Sequence, residues 1–80
     1  MPPVGEVVMY ARQGCYLCDE AREAILGLRA ELSFDYREVD VEGDPGLERE
    51  HGLRVPVVAV DGEEAFEYRV DVDELRRLLS

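Results

Sequence analysis

GCYLCDEA, residues 14–21, holds the two cysteines of this 80-residue chain, Cys15 and Cys18, with Tyr16 and Leu17 between them. Just upstream, Val7, Val8 and Met9 form a continuous apolar run. A run without alternation suits a strand covered on both faces, as in a parallel sheet, and the strand is expected over residues 4–10. Arg12, Gln13 and Gly14 read as a loop. Downstream of the pair, apolar residues recur at Leu17, Ala21, Ile25, Leu28 and Leu32, spacings of three and four that mark one face of a helix over residues 16–32. The cysteines therefore fall where a buried strand hands over to an amphipathic helix. That strand–helix step opens a β-α-β crossover, whose strands are expected to be parallel.

The remaining elements follow from punctuation. Phe34, Tyr36 and Val39 place a second strand over residues 34–41. Gly43-Asp44-Pro45 begins a short helix, with Asp44 able to cap it and Pro45 suited to its first position. Gly52 ends that helix as a C-terminal cap residue. Residues 53–60 form a third strand, and Asp61-Gly62 is a two-residue hairpin turn into a fourth strand through Ala65, Phe66 and Tyr68. Asp71 or Asp73 caps a last helix with Val72, Leu75, Leu78 and Leu79 on its apolar face. The order is β-α-β-α-β-β-α, an α/β fold with a mixed four-stranded sheet flanked by helices.

Composition narrows the function. Formal net charge is −10 at pH 7. An acidic chain has no sequence-independent attraction to phosphate backbones or anionic lipid, so neither nucleic acid nor membrane is expected as a partner. The longest apolar stretch, residues 55–60, is broken by Pro56 and is far shorter than the ~20 residues a spanning helix needs. MPPVGEVVMY, residues 1–10, has neither the basic leader nor the long apolar stretch of a signal peptide, so the expected compartment is the cytoplasm. The length suits one domain, residues 1–80, expected to be monomeric. All nine basic residues are arginine.

At the start of a helix, Cys15 meets unpaired backbone N–H groups and partial positive charge, both of which stabilise a thiolate. Cys18, about one turn on, is close enough for a disulfide. Arg12 adds a nearby cation, opposed by Asp19 and the net negative charge. Structural zinc takes four ligands, and this chain has one cysteine pair and one histidine, His51, in a different helix; no intrachain metal site is expected. His51 suits the negative end of that helix. A bridge closing so short a loop adds little stability on the chain-entropy account. A cytosolic C-x-x-C beside a β-α-β unit is a redox signature. Beside it stand two further readings: a metal or iron–sulfur cluster shared between two copies, and two buried cysteines without chemistry. No Ser/His/Asp arrangement, phosphate loop or pair of catalytic carboxylates stands out.

The element order, the C-x-x-C at the start of the first helix and the Val55-Pro56 dipeptide before the third strand together resemble the thioredoxin fold, and within it the glutaredoxin-like group. MYARQGCYLCDEA, residues 9–21, is similar to the glutaredoxin pattern of a strand, a basic residue, then C-x-x-C. Its CYLCDEA form resembles small bacterial glutaredoxin-like proteins with a C-x-L-C-D-E-A signature. The resemblance covers nearly the whole chain. It implies a thiol–disulfide oxidoreductase in which Cys15 attacks and Cys18 resolves, acting on protein or glutathione disulfides. A reductase or glutathione would supply electrons, and no bound cofactor is implied. Arg12 matches the basic residue before the motif, and Val55-Pro56 matches a pair joined by a cis peptide bond whose backbone is offered to an extended substrate. Arg12, Tyr16, Val55 and Pro56 are the expected substrate contacts. The alternative is a non-catalytic thioredoxin-fold binding module, or a dimer sharing a metal or cluster through its cysteines. The chain departs from the pattern in YRVDVDEL, residues 68–75, where Val70 and Asp71 replace the Gly-Gly turn of glutathione-using glutaredoxins and obstruct close backbone approach. Tyr16-Leu17 also replaces their Pro-Tyr.

Overall fold

The computed structural model describes residues 5–79. Its elements are β1 (Glu6–Ala11), α1 (Tyr16–Arg29), β2 (Asp35–Asp40), α2 (Pro45–His51), β3 (Val57–Val60), β4 (Glu63–Glu67) and α3 (Val72–Leu78). This is the expected β-α-β-α-β-β-α order. Val4, where the sequence places the start of β1, lies outside the described residues. The sheet order is β2-β1-β3-β4. β1 runs parallel to β2 and antiparallel to β3, and β3 is antiparallel to β4.

β1 explains its own apolar run. Val7, Met9 and Ala11 face one side of the sheet with Val58 and Val60, and pack against Ile25 and Leu28 of α1 and Leu75 of α3. Because strand side chains alternate, Val8 and Tyr10 face the other side. There the His51 ring of α2 stacks on Tyr10, with centroids 4.2 Å apart. Helices thus lie on both faces, and β1 is buried by both.

Local chemistry sets the boundaries. Asp44 caps α2 by accepting from the Gly46 and Leu47 amides, and Pro45 follows it. Asp71, one of the two aspartates expected to serve, caps α3 by accepting from the Glu74 amide. Asp61 and Gly62 both have positive φ, 52° and 88°, the backbone that a tight hairpin turn requires. α1 ends at Arg29, short of the expected residue 32, where the Glu31 amide bonds to the Leu28 carbonyl three residues back and tightens the last turn. β3 starts at Val57 rather than at residue 53, since Pro56 has no N–H to give the ladder. β4 ends at Glu67 because Tyr68 adopts a φ of 69° and leaves the strand. Leu78 is 45% exposed, leaving Val72, Leu75 and Leu79 to pack α3 against the core.

Tyr36 of β2 sits opposite Val7 in the register and points toward α1. Among the described residues its buried hydroxyl has no hydrogen-bond partner. Burial first, and the negative charge of Glu38 second, push its ionisation up to about 12. As pH rises past the ordinary tyrosine range of about 10, the unfolded chain gives up this proton while the folded chain keeps it, so stability falls from about pH 10 to 12. Tyr36→Phe is expected to hold or raise stability at pH 7 by up to about 1 kcal/mol in urea titration. The same variant should flatten the alkaline loss, measured by repeating the titration across that pH range.

Candidate functional site

β1 ends beside β2, and the Val41 amide donates to the Ala11 carbonyl to prolong the parallel ladder by one bond. The chain then turns. Gln13 donates its amide to the Glu42 carboxylate at 3.1 Å, and Gly14 takes a φ of 73° that glycine adopts without steric cost. The turn delivers Cys15 to the N-cap position of α1, where its sulfur accepts from the Cys18 amide at 3.1 Å. Cys15 and Cys18 are joined as a disulfide, with Cα atoms 5.2 Å apart. Cys18 is fully buried in the core between the sheet and α1, whereas Cys15 is half-buried at its edge.

The sheet register explains what lies beside the pair. β1 and β3 are antiparallel, and Tyr10 pairs with Val57. The end of β1, which leads into the cysteines, is therefore next to the start of β3, which follows Pro56. The Val55–Pro56 peptide bond is cis, as the family resemblance implies. Pro56 is fully buried, while Val55 packs half-exposed against the same core cluster as Cys15 and Val70.

The segment leading to Pro56 is held along its length. Arg54 donates to the Glu50 carbonyl at 2.8 Å, Arg12 to the Gly52 carbonyl at 2.9 Å and the Tyr68 hydroxyl to the Leu53 carbonyl at 3.2 Å. The Tyr68 amide closes the set on the Pro56 carbonyl at 2.8 Å. Arg12 is also ion-paired with Glu48 of α2. Tyr16 stands 72% exposed at the first turn of α1, with its hydroxyl on Glu20. Of the residues singled out from sequence, the structure thus gathers Cys15, Cys18, Val55 and Pro56 at adjoining strand ends. It turns Arg12 toward α2 and leaves Tyr16 facing outward.

Sequence reading passed over three residues here. Leu53, 92% exposed, and Tyr68 were assigned to strands, and Val70 stood only for a missing glycine. Tyr68, Arg69 and Val70 form a shallow cavity of about 220 Å³ with Leu17, Glu20 and Ala21 of α1, next to the cysteine turn. No residue type in YRVD signals the positive φ of Tyr68, so only the three-dimensional structure reveals its place. Leu53, directly after a helix-ending glycine, carried a faint loop signal.

On the other face, Glu50, His51 and Glu64 bring potential metal-ligand atoms within 4.8 Å of one another. The Arg54 guanidinium is already among them, 3.3 Å from His51 Nδ1 and 3.0 Å from a Glu64 oxygen. Its hydrogen bond is the main reason the Glu64 carboxyl is held below its ordinary range. The group reads as an ion-paired brace under the Pro56 segment, with His51 4% exposed against Tyr10. Among the described residues no helix is long and apolar enough to cross a membrane.

Residues 6–80 match the glutaredoxin-like domain (DUF836). The chain belongs to this glutaredoxin-like family. It is 40% identical over 76 residues to the uncharacterised protein Rv0508 of Mycobacterium tuberculosis, covering 89% of this chain and 78% of that one. Among solved structures it is similar to protein Ne2328 of Nitrosomonas europaea, at 29% identity and a TM-score of 0.84, over 100% of this chain and 94% of that one. A thioredoxin variant from Halobacterium salinarum, 22% identical, superposes with a TM-score of 0.68 over 94% of this chain and 71% of its own, a likeness of fold.

Once the disulfide is reduced, the two sulfurs should differ sharply in access. Cys15 at the edge is expected to react with iodoacetamide about tenfold or more faster than fully buried Cys18, read by mass spectrometry of timed samples.

Proposed function

We propose that the chain is a thiol–disulfide oxidoreductase. The observation that carries this reading is the Cys15–Cys18 disulfide at the start of α1, with one sulfur at the edge and the other buried. The amide that points at Cys15 Sγ favours negative charge there when the bridge is open.

In the reduced protein, Cys15 thiolate attacks one sulfur of a substrate disulfide. A Cys15–substrate bond forms, the substrate S–S bond breaks, and the departing thiolate takes up a proton. Cys18 then loses its proton and attacks Cys15 Sγ. The Cys15–Cys18 bond forms as the second substrate thiolate leaves and is protonated. The substrate gains two electrons and two protons, and the protein is left oxidised. A reductase or two molecules of glutathione thiol would return the electrons. Val55 and Pro56 offer the backbone edge along which an extended substrate lies, with Tyr16 as an outward aromatic contact. The substrate is a disulfide-bearing protein or glutathione disulfide. The reaction needs no bound cofactor, and a monomer in the reducing cytoplasm suffices for it.

Cys15→Ser is expected to abolish reduction of a small-molecule disulfide. Cys18→Ser should retain the first step and accumulate mixed disulfides, captured from cell extract and identified by mass spectrometry. Glutathione alone on Cys15 would assign a glutaredoxin-type cycle, and protein adducts would assign protein disulfides. A reduced wild-type protein that exchanges with neither class would sink the proposal.

A further inference from the structure

Arg12 begins the turn that leads out of β1, three residues before Cys15, and its position in sequence suggests a cation for the thiolate. Its contacts point elsewhere. The guanidinium is ion-paired with the Glu48 carboxylate and donates to the Gly52 carbonyl at 2.9 Å. The carboxylate cancels the charge that Arg12 would otherwise lend. Gly52 confirms how closely the group is fitted. Its φ of −56° and ψ of −33° are open to any residue, so its backbone does not require glycine. The space does: a Cβ at position 52 would lie 3.0 Å from Arg12 Nη2 and would press on the Glu48 carboxylate.

The carbonyls of Gly52 and Leu53 are thus held from two directions. Arg12 reaches Gly52 from the turn before Cys15, and Tyr68 reaches Leu53 from the turn after β4. Tyr68 holds a positive φ of 69°, a conformation a bulky side chain adopts only where its surroundings enforce it. Both grips fall just ahead of Val55 and Pro56.

We propose that Arg12 is a positioning residue, which clamps the segment carrying Val55 and Pro56 to the turn carrying Cys15, and does not serve as the charge that stabilises the Cys15 thiolate. Its effect on turnover rests on the exchange reading given above; the clamp itself does not. A guanidinium fork holds a carboxylate and a carbonyl at once, which the point charge of lysine does poorly. The clamp therefore separates shape from charge.

The test compares Arg12→Gln and Arg12→Lys with the wild type in three measurements on the full chain. Amide hydrogen exchange reads the clamp at Gly52 and Arg54, whose amides bond to Glu48 and His51 carbonyls at the end of α2. The pH dependence of iodoacetamide alkylation reads the Cys15 thiolate. Steady-state kinetics with a disulfide-linked peptide reads KM and kcat. Both variants are expected to speed exchange at Gly52 and Arg54 about fivefold or more, leave Leu75 and Leu79 of α3 unchanged, and keep the Cys15 alkylation profile in place. KM should rise about fivefold with kcat nearly constant. The proposal is overturned if neither variant alters exchange at Gly52 and Arg54. It is equally overturned if Arg12→Lys behaves as wild type while Arg12→Gln moves the alkylation profile to higher pH. Exchange and alkylation need no turnover, so a chain without oxidoreductase activity would defeat the proposed function while these two measurements still decide the clamp.

Discussion

β1 has neither a free edge nor a free face. β2 and β3 occupy its two edges, and α1 with α3 on one side and His51 of α2 on the other cover its faces. A strand so enclosed cannot slip by one residue without exchanging Val7 and Met9 for Val8 and Tyr10 against α1. That register fixes where β1 ends, and so where the turn to Cys15 begins. Through the Tyr10–Val57 pairing it also fixes where β3 begins, and so where Pro56 lies. The nearness of the cysteines to the proline segment is thus a property of the sheet before it is a property of any loop.

The charged surface is organised around arginine. Arg22 of α1 bonds to Glu38 of β2 and to Asp19, contacts that raise its already high affinity for the proton. Arg76 of α3 reaches Glu31 beyond the end of α1 at 2.8 Å, and Arg54 spans Glu64 and Glu67 at the far edge of the sheet. Exposed pairs of this kind contribute little stability individually, at roughly 0–1 kcal/mol each. Their geometry is more informative than their energy. Several join elements far apart in sequence, and the planar fork lets one side chain satisfy two acceptors. A chain with 19 acidic residues and nine basic ones has few cations, and it spends most of them on bridges.

Local signals were legible and long-range pairings were not. Asp44-Pro45 and Asp61-Gly62 carry their meaning in two residues, because a cap and a φ > 0 turn each have narrow residue requirements. The C-x-x-C at a strand–helix junction is equally local, and β1 declared its two-sided burial through an unbroken apolar run. The stack of His51 on Tyr10 joins residues 41 positions apart, and Arg12 meets Gly52 across 40. Nothing in the spacing of either pair encodes the meeting; it arises from the β1–β3 register. His51 stands at the end of α2 as its sequence position suggests, but its burial against Tyr10 is not encoded in that position. Tyr68 was read as strand because aromatic residues favour strands, and its departure from β4 reflects the tertiary grip on Leu53 and Pro56.

The outer strands carry a further consequence. Among the described residues β2 and β4 form the two edges of the sheet, each with a row of backbone groups left unpaired that invites another strand. β4 bears Glu63, Glu64 and Glu67 among its five residues, and its register skips Ala65, which breaks the even spacing of its ladder. β2 bears Asp35, Arg37, Glu38 and Asp40 among its six. Two copies meeting β4 to β4 would set glutamates against glutamates along an irregular edge. The acidic residues along these edges thus disfavour growth of this small sheet by the addition of its own kind.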